Sequence, residues 1–84
     1  MKIRFKLYAT LTDLLPSGAT DNAVELELPD DTTLNSLIDE YRVPRELAHL
    51  VLLNGTFICE ADRDQPGILS DGDTLAIWPP VAGG

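Results

Sequence analysis

Only one long segment of this chain repeats its apolar residues at helical spacing: Leu34, Leu37, Ile38 and Tyr41 fall at i, i+3, i+4 and i+7. Asp30-Asp31-Thr32-Thr33 ahead of it offers side-chain oxygens to the free N–H groups of a helix start, and Pro44 stops the helix soon after Arg42. Asn35, Ser36, Asp39 and Glu40 fall on the opposite side, so the spacing predicts an amphipathic helix lying across a sheet face. A chain of 84 residues is long enough for one domain with one modest core and too short for two. With a single long helix, the rest of that core has to come from strands.

Strand patterns are present on both sides of the helix. Ile3, Phe5 and Leu7 alternate with Lys2, Arg4 and Lys6, and Val24, Leu26 and Leu28 alternate with Glu25 and Glu27 until Pro29 ends the run. If these two strands are antiparallel neighbours, the wet face sets Lys2, Arg4 and Lys6 against the glutamates, each pair contributing about 0.2–1 kcal/mol. Between them Leu11, Leu14 and Leu15 recur at helical spacing before Pro16-Ser17-Gly18, which predicts a short helical turn covering one end of the core. Beyond the helix, Val51-Leu52-Leu53 reads as a buried strand, Asn54-Gly55 as a tight hairpin turn needing positive φ at both positions, and Thr56-Phe57-Ile58-Cys59 as the return strand. A polar loop with Pro66-Gly67 and Ser70-Asp71-Gly72-Asp73 leads to a last strand, Thr74-Leu75-Ala76-Ile77-Trp78, which Pro79-Pro80 terminates. The order strand, strand, helix, strand, strand, strand predicts an α+β domain over residues 1–78 in which one sheet wraps the helix, followed by a flexible tail over 79–84.

Charge and residue usage exclude several classes of function. Fourteen acidic residues against six basic ones give a formal net charge of −8, a poor basis for binding a phosphate backbone but suited to steering toward basic protein partners. Cys59 is the only cysteine, so no intramolecular disulfide, zinc knuckle or iron–sulfur ligand set is available, and a reducing cytosol fits. No apolar run reaches membrane-spanning length, and Met1-Lys2-Ile3-Arg4-Phe5-Lys6 lacks the layout of an export signal; the expectation is a protein neither exported nor embedded in a membrane. His49 is the only histidine and has no partner spacing for catalysis, which leaves it a surface role. Cys59, followed by acidic Glu60 and Asp62, is read as a packing residue. Asp71-Gly72-Asp73 and Asp62-Arg63-Asp64 lack the calcium-loop pattern and read as turns and solvated loops, so no metal site is expected.

The tail Pro79-Pro80-Val81-Ala82-Gly83-Gly84 stands apart from this. Two prolines give the exit from the last strand a stiff, extended direction, and two glycines carry no side chain that would obstruct a narrow channel in another protein. What such a tail delivers is its terminal carboxylate. A carboxylate becomes a reactive acyl group once joined to a phosphate as a mixed anhydride, from which a sulfur nucleophile can displace AMP. This chain holds no machinery for either step, so a separate activating enzyme is required. Trp78, Phe57 and Leu52 could add apolar contact area for a partner, with core packing as the alternative use of each.

The ending Ile77-Trp78-Pro79-Pro80-Val81-Ala82-Gly83-Gly84, together with Ser70-Asp71-Gly72-Asp73 and Leu53-Asn54-Gly55, resembles the ubiquitin-like sulfur carriers, and among them the small subunit of molybdopterin synthase. The likeness spans nearly the whole chain. It implies a β-grasp (ubiquitin-like) fold, a mixed sheet packed on one main helix. It also implies activation by an ATP-dependent adenylyltransferase, passing through a glycyl adenylate to a thiocarboxylate on Gly84, the reacting residue. Pro79, Pro80, Val81, Ala82 and Gly83 would then be the segment inserted into the large synthase subunit of a heterotetramer, which transfers the sulfur to a cyclic pterin precursor. The small subunit is on this view a sulfur donor without a bound cofactor, working in the cytoplasm. Tyr8-Ala9-Thr10-Leu11-Thr12-Asp13 departs from the family's Phe-Ala-x-Leu-Arg-Glu segment, with Thr12 in the place of an arginine. Related carriers serve thiamine, cysteine, tRNA thiolation and tungsten cofactor routes, and some are conjugated to lysines through the same diglycine, so the resemblance leaves the route open.

Overall fold

In the computed structural model, which describes residues 1–80, the alternation of the first strand is carried directly into burial: Ile3, Phe5 and Leu7 are closed off from solvent while Lys2 and Arg4 stay exposed. The strands are β1 (Lys2–Leu7), β2 (Ala23–Glu27), β3 (Leu50–Leu53), β4 (Thr56–Phe57) and β5 (Thr74–Trp78), with one helix, α1 (Leu34–Glu40). They form one sheet in the order β2-β1-β5-β3-β4, in which β1 and β5 run parallel and every other pair antiparallel. This mixed sheet on one helix is the β-grasp arrangement. The expected register of the first two strands holds, with Lys2 opposite Glu27 and Arg4 opposite Glu25. Lys2 Nζ lies 3.9 Å from Glu27 Oε1, both exposed, a pair that adds little to stability.

The core is a single layer between the sheet and α1. Ile3, Phe5 and Leu7 of β1, Val51 of β3 and Leu75 and Ile77 of β5 meet Leu34, Leu37 and Ile38 of the helix, all buried, each worth about 1.5–3 kcal/mol against exposure. Phe5 also packs on the Tyr41 ring, with centroids 5.2 Å apart. The short helical turn expected around Leu11 is a 3-10 turn over Ala9–Leu14 that buries Leu11 at one end of this layer. The Asn54-Gly55 turn has the positive φ at both positions that the hairpin requires, 51° and 85°.

Thr33 begins α1 with a reciprocal cap. Its Oγ1 accepts from the Ser36 amide at 3.1 Å, while Ser36 Oγ accepts from the Thr33 amide at 3.0 Å. The helix ends at Glu40, before Arg42, because Arg42 turns left-handed (φ 60°) and lets the Val43 amide reach back to the Ile38 carbonyl at 3.0 Å. Pro44 follows a stop already made.

Three readings of individual residues are corrected. Asn35, assigned to the wet side of the helix, is buried: its amide donates to the Arg63 carbonyl at 2.9 Å and its side-chain Nδ2 to Asp64 Oδ1 at 2.9 Å. Arg63, assigned to a solvated loop, is only 3% exposed, and its guanidinium donates from Nε to the Ile58 carbonyl at 3.0 Å and from Nη1 to the Ala48 carbonyl at 2.9 Å. Both corrections have one cause. The connection from β4 to β5 crosses the start of the helix, and the planar guanidinium satisfies carbonyls that this crossing would otherwise bury without partners. The return strand is likewise shorter than expected: β4 covers Thr56 and Phe57, Ile58 keeps one bond to the Val51 carbonyl, and Cys59 caps a 3-10 turn over Glu60–Asp62. Cys59 is therefore exposed instead of packed, its Sγ donating to Asp62 Oδ2 at 3.3 Å.

Two outcomes follow from these contacts. Arg63→Met, which keeps the stem but leaves the two carbonyls without donors, lowers unfolding free energy by about 2–4 kcal/mol in urea denaturation. Asp39 just inside the end of α1 accepts two bonds from Arg45, at 2.8 and 2.7 Å, and these hold its carboxyl below the ordinary aspartate range. Because the folded value lies below the unfolded one, this pair contributes stability above the unfolded aspartate pKa and loses it as pH falls through the folded value. In NMR titration, Arg45→Gln moves the Asp39 midpoint upward.

Candidate functional site

The last strand is held on both flanks up to its final residue. The Tyr8 amide donates to the Ile77 carbonyl at 3.1 Å from the β1 side, and the His49 amide donates to the Trp78 carbonyl at 3.2 Å from the β3 side, where Leu50 stands opposite Trp78. Pro79 has no N–H to extend the ladder, so the chain leaves the sheet there, with Pro79 half-buried and Pro80 exposed. Pro79 and Pro80 thus stand at the exit from the body. Val81, Ala82, Gly83 and Gly84 lie outside the described residues.

Strand alternation sorts the side chains around this exit. Leu75 and Ile77 enter the core, which sends Ala76 and Trp78 to the outer face of the sheet, away from α1. Leu50 and Leu52 of β3 are in phase with them, opposite Trp78 and Ala76, and Phe57 of β4 stands opposite Leu52. Among the described residues the two exposed large apolar side chains are Phe57, at 53%, and Leu50, at 38%, and both belong to this face. Tyr8 completes it: its ring stacks on Trp78 with centroids 4.2 Å apart and planes 1° from parallel, and Lys6 Nζ sits 5.4 Å from the centre of the Tyr8 ring. The outer face therefore has a charged side on β2 and β1, where Glu25 and Glu27 lie beside Arg4 and Lys2 with Lys6 next to them, and an apolar side on β5, β3 and β4.

Of the contact residues anticipated from sequence, Trp78, Phe57 and Leu52 are brought together here. Tyr8 and Leu50 were not anticipated. Their signal was strand phase, since Tyr8 continues the outward series Lys2, Arg4, Lys6 and Leu50 precedes Leu52 by two. Thr12 lies in the turn directly after Tyr8, and its Oγ1 donates to the Ala9 carbonyl at 2.9 Å, so its hydroxyl proton is engaged within its own turn. His49 is exposed beside the exit and contributes its backbone amide there. Among the described residues no group of three or more His, Cys, Asp or Glu side chains is placed to hold a metal ion, and no helix is long and apolar enough to cross a membrane.

Comparison with known proteins adds to this geometry. The model of the ThiS family matches residues 6–84. Among solved structures, a putative molybdopterin converting factor, subunit 1, from Pyrococcus furiosus is 26% identical, with a TM-score of 0.67 over 95% of this chain and 98% of that one. SAMP1 from Haloferax volcanii is 23% identical, with a TM-score of 0.65 over the full length of both chains. A chain in the complex of subunits 1 and 2 of molybdopterin-converting factor from Helicobacter pylori is 21% identical, with a TM-score of 0.58 over the full length of both. The last two likenesses speak to fold alone. No curated protein sequence gives a significant match.

If the outer apolar side chains are there for contact and not for folding, their removal leaves stability largely intact. Phe57→Ser changes unfolding free energy by only about 0.5–1 kcal/mol, the loss of its contact with the Arg63 guanidinium 6.0 Å from the ring centre, whereas Phe5→Ala, on the inner face, costs about 3–5 kcal/mol; the two denaturation midpoints separate the roles.

Proposed function

The chain belongs to the ThiS family of ubiquitin-like sulfur carriers, and on that premise we propose that it is the small subunit of a molybdopterin synthase, carrying sulfur as a thiocarboxylate on Gly84 for molybdenum cofactor synthesis in the cytoplasm. The observation that carries the reading is the exit itself. A strand end bonded on both flanks delivers Pro79-Pro80 to one place beside an uncovered apolar face. A partner that docks on that face receives the tail in a defined position, and a tip of two glycines passes where side chains would not.

The chemistry is divided between this chain and its partners. On an ATP-dependent adenylyltransferase, an oxygen of the Gly84 carboxylate attacks the α-phosphorus of ATP and expels pyrophosphate. A hydrosulfide equivalent then attacks the acyl carbon of that glycyl adenylate and expels AMP, which leaves the thiocarboxylate. Pro79, Pro80, Val81, Ala82 and Gly83 then lead Gly84 into the large synthase subunit, where the sulfur passes to a pterin precursor. The 26% likeness to subunit 1 of a putative molybdopterin converting factor from Pyrococcus furiosus supports a partner of this kind; the assembly proposed is a heterotetramer of two small and two large subunits.

Incubation with ATP, the adenylyltransferase and a sulfur donor, followed by intact mass, tests the reading. The expected products are an AMP adduct and then a chain with one oxygen replaced by sulfur, returned to its starting mass when the large subunit and pterin precursor are added. Deletion of Gly84 abolishes all three changes. Diglycine-linked lysine adducts without any thiocarboxylate would make the chain a protein modifier instead, and function surviving the deletion would rule out acyl chemistry.

A further inference from the structure

We propose that Tyr8 is a positioning residue for the Trp78 indole beside the tail exit, acting through its stack on that ring; this rests on the sulfur-carrier reading for its consequence but not for its geometry. Backbone bonds fix where β5 ends, yet they leave the indole of its last residue free to choose a rotamer on an open sheet face. The Tyr8 ring removes that choice. Two rings 4.2 Å apart and 1° from parallel lie face to face, and a residue adjoining Pro79 is thereby held in one orientation.

Tyr8 is itself fixed by bonds at its own backbone and at both neighbouring residues. Its amide is bonded to the Ile77 carbonyl at 3.1 Å, and its carbonyl accepts from the Leu11 amide at 3.0 Å. The preceding residue, Leu7, exchanges bonds with Asn22, whose backbone carbonyl accepts from the Leu7 amide and whose Nδ2 donates to the Leu7 carbonyl, both at 3.1 Å. The following residue, Ala9, has φ 53°, a left-handed conformation unfavourable for a residue with a Cβ, and Thr12 Oγ1 holds its carbonyl at 2.9 Å. A non-glycine residue kept left-handed marks a place where the surroundings impose the backbone against its preference. Here the effect is to break the chain away from the sheet immediately after Tyr8, so that the residue following β1 has its ring aligned on Trp78.

For a partner that docks beside the exit, each orientation of the indole removed in the free protein is one that the partner does not have to select. The stack should accordingly act on productive docking and leave the bond-making steps alone. Loss of the ring raises the KM of the carrier in adenylation roughly three- to tenfold, the fold-change a stacked aromatic pair commands, with kcat within about twofold.

Trp78 is the only tryptophan, so its fluorescence reports the stack in the protein alone. Tyr8→Leu, which keeps apolar cover but no ring face, is expected to broaden the Trp78 lifetime distribution and raise KM, while Tyr8→Phe restores both and urea midpoints confirm that each variant is folded. In a Trp78→Leu background, Tyr8→Leu should have no further effect on KM, because Tyr8 acts through the indole. An unchanged lifetime distribution in Tyr8→Leu, or a KM effect that persists undiminished without Trp78, would overturn the proposal, the latter by making Tyr8 a direct partner contact. A wild-type chain that acquires no adenylate sinks the carrier reading instead, and the lifetimes then decide on the stack by themselves.

Discussion

The first strand and the last lie side by side, in parallel, at the middle of the sheet, with β2 on one side and β3 and β4 on the other. Arg4 faces Thr74 and Leu7 faces Ile77, so nearly the entire chain must be looped out before these contacts form. Such closure is entropically costly and is offset by what it assembles, because Ile3, Phe5 and Leu7 then share one inner face with Leu75 and Ile77, over which the helix lies. The same pairing brings Tyr8 beside Trp78. The core and the tail exit are two results of one register. A slip of one residue would turn the inward set of one of the two strands to the outer face and remove the core and the exit together.

The parts of this fold that were legible in the sequence are those with a period. Alternation gave β1, β2 and the charge register between them; helical spacing gave α1; Asn54-Gly55 gave its turn, because only a few residues tolerate positive φ in succession. What escaped has no period. Asn35 and Arg63 are buried by a connection that crosses the helix start, and a polar residue recruited to serve another segment's carbonyls looks, in one dimension, like any residue meant for water. Cys59 was misplaced for the same reason, since the chain leaves β4 early to make that crossing. At the site, Trp78, Phe57 and Leu52 stood out by type, whereas Tyr8 and Leu50 become visible only once the strand phase is extended by a residue at each end.

The two faces of the sheet divide stability from recognition. Among the described residues the large side chains closed off from solvent are on the inner face, on α1, or in the loops that close its ends, and the two exposed large apolar side chains are on the outer face, where only small Ala76 is buried. Three of the six basic residues, Lys2, Arg4 and Lys6, also lie on that outer face of a chain whose net charge is −8. The exposed apolar side chains among the described residues are thus bordered on β1 by cations, two of which stand opposite glutamates of β2. A partner docking there as proposed would meet charge and apolar area at the same place, which would separate the rate of encounter from the lifetime of the complex.

A sheet that keeps one face open to partners risks being joined by copies of itself along its edges. The two edges here are β4, only two residues long, and β2, whose outward side chains include Glu25 and Glu27. A strand of two residues offers too few unpaired backbone groups to template another, and a row of glutamates repels its own image. The early departure of the chain at Ile58, which first seemed only to carry Arg63 to its place, thus also protects the molecule against edge-to-edge aggregation, so that the stickiness of the outer face is confined to side chains.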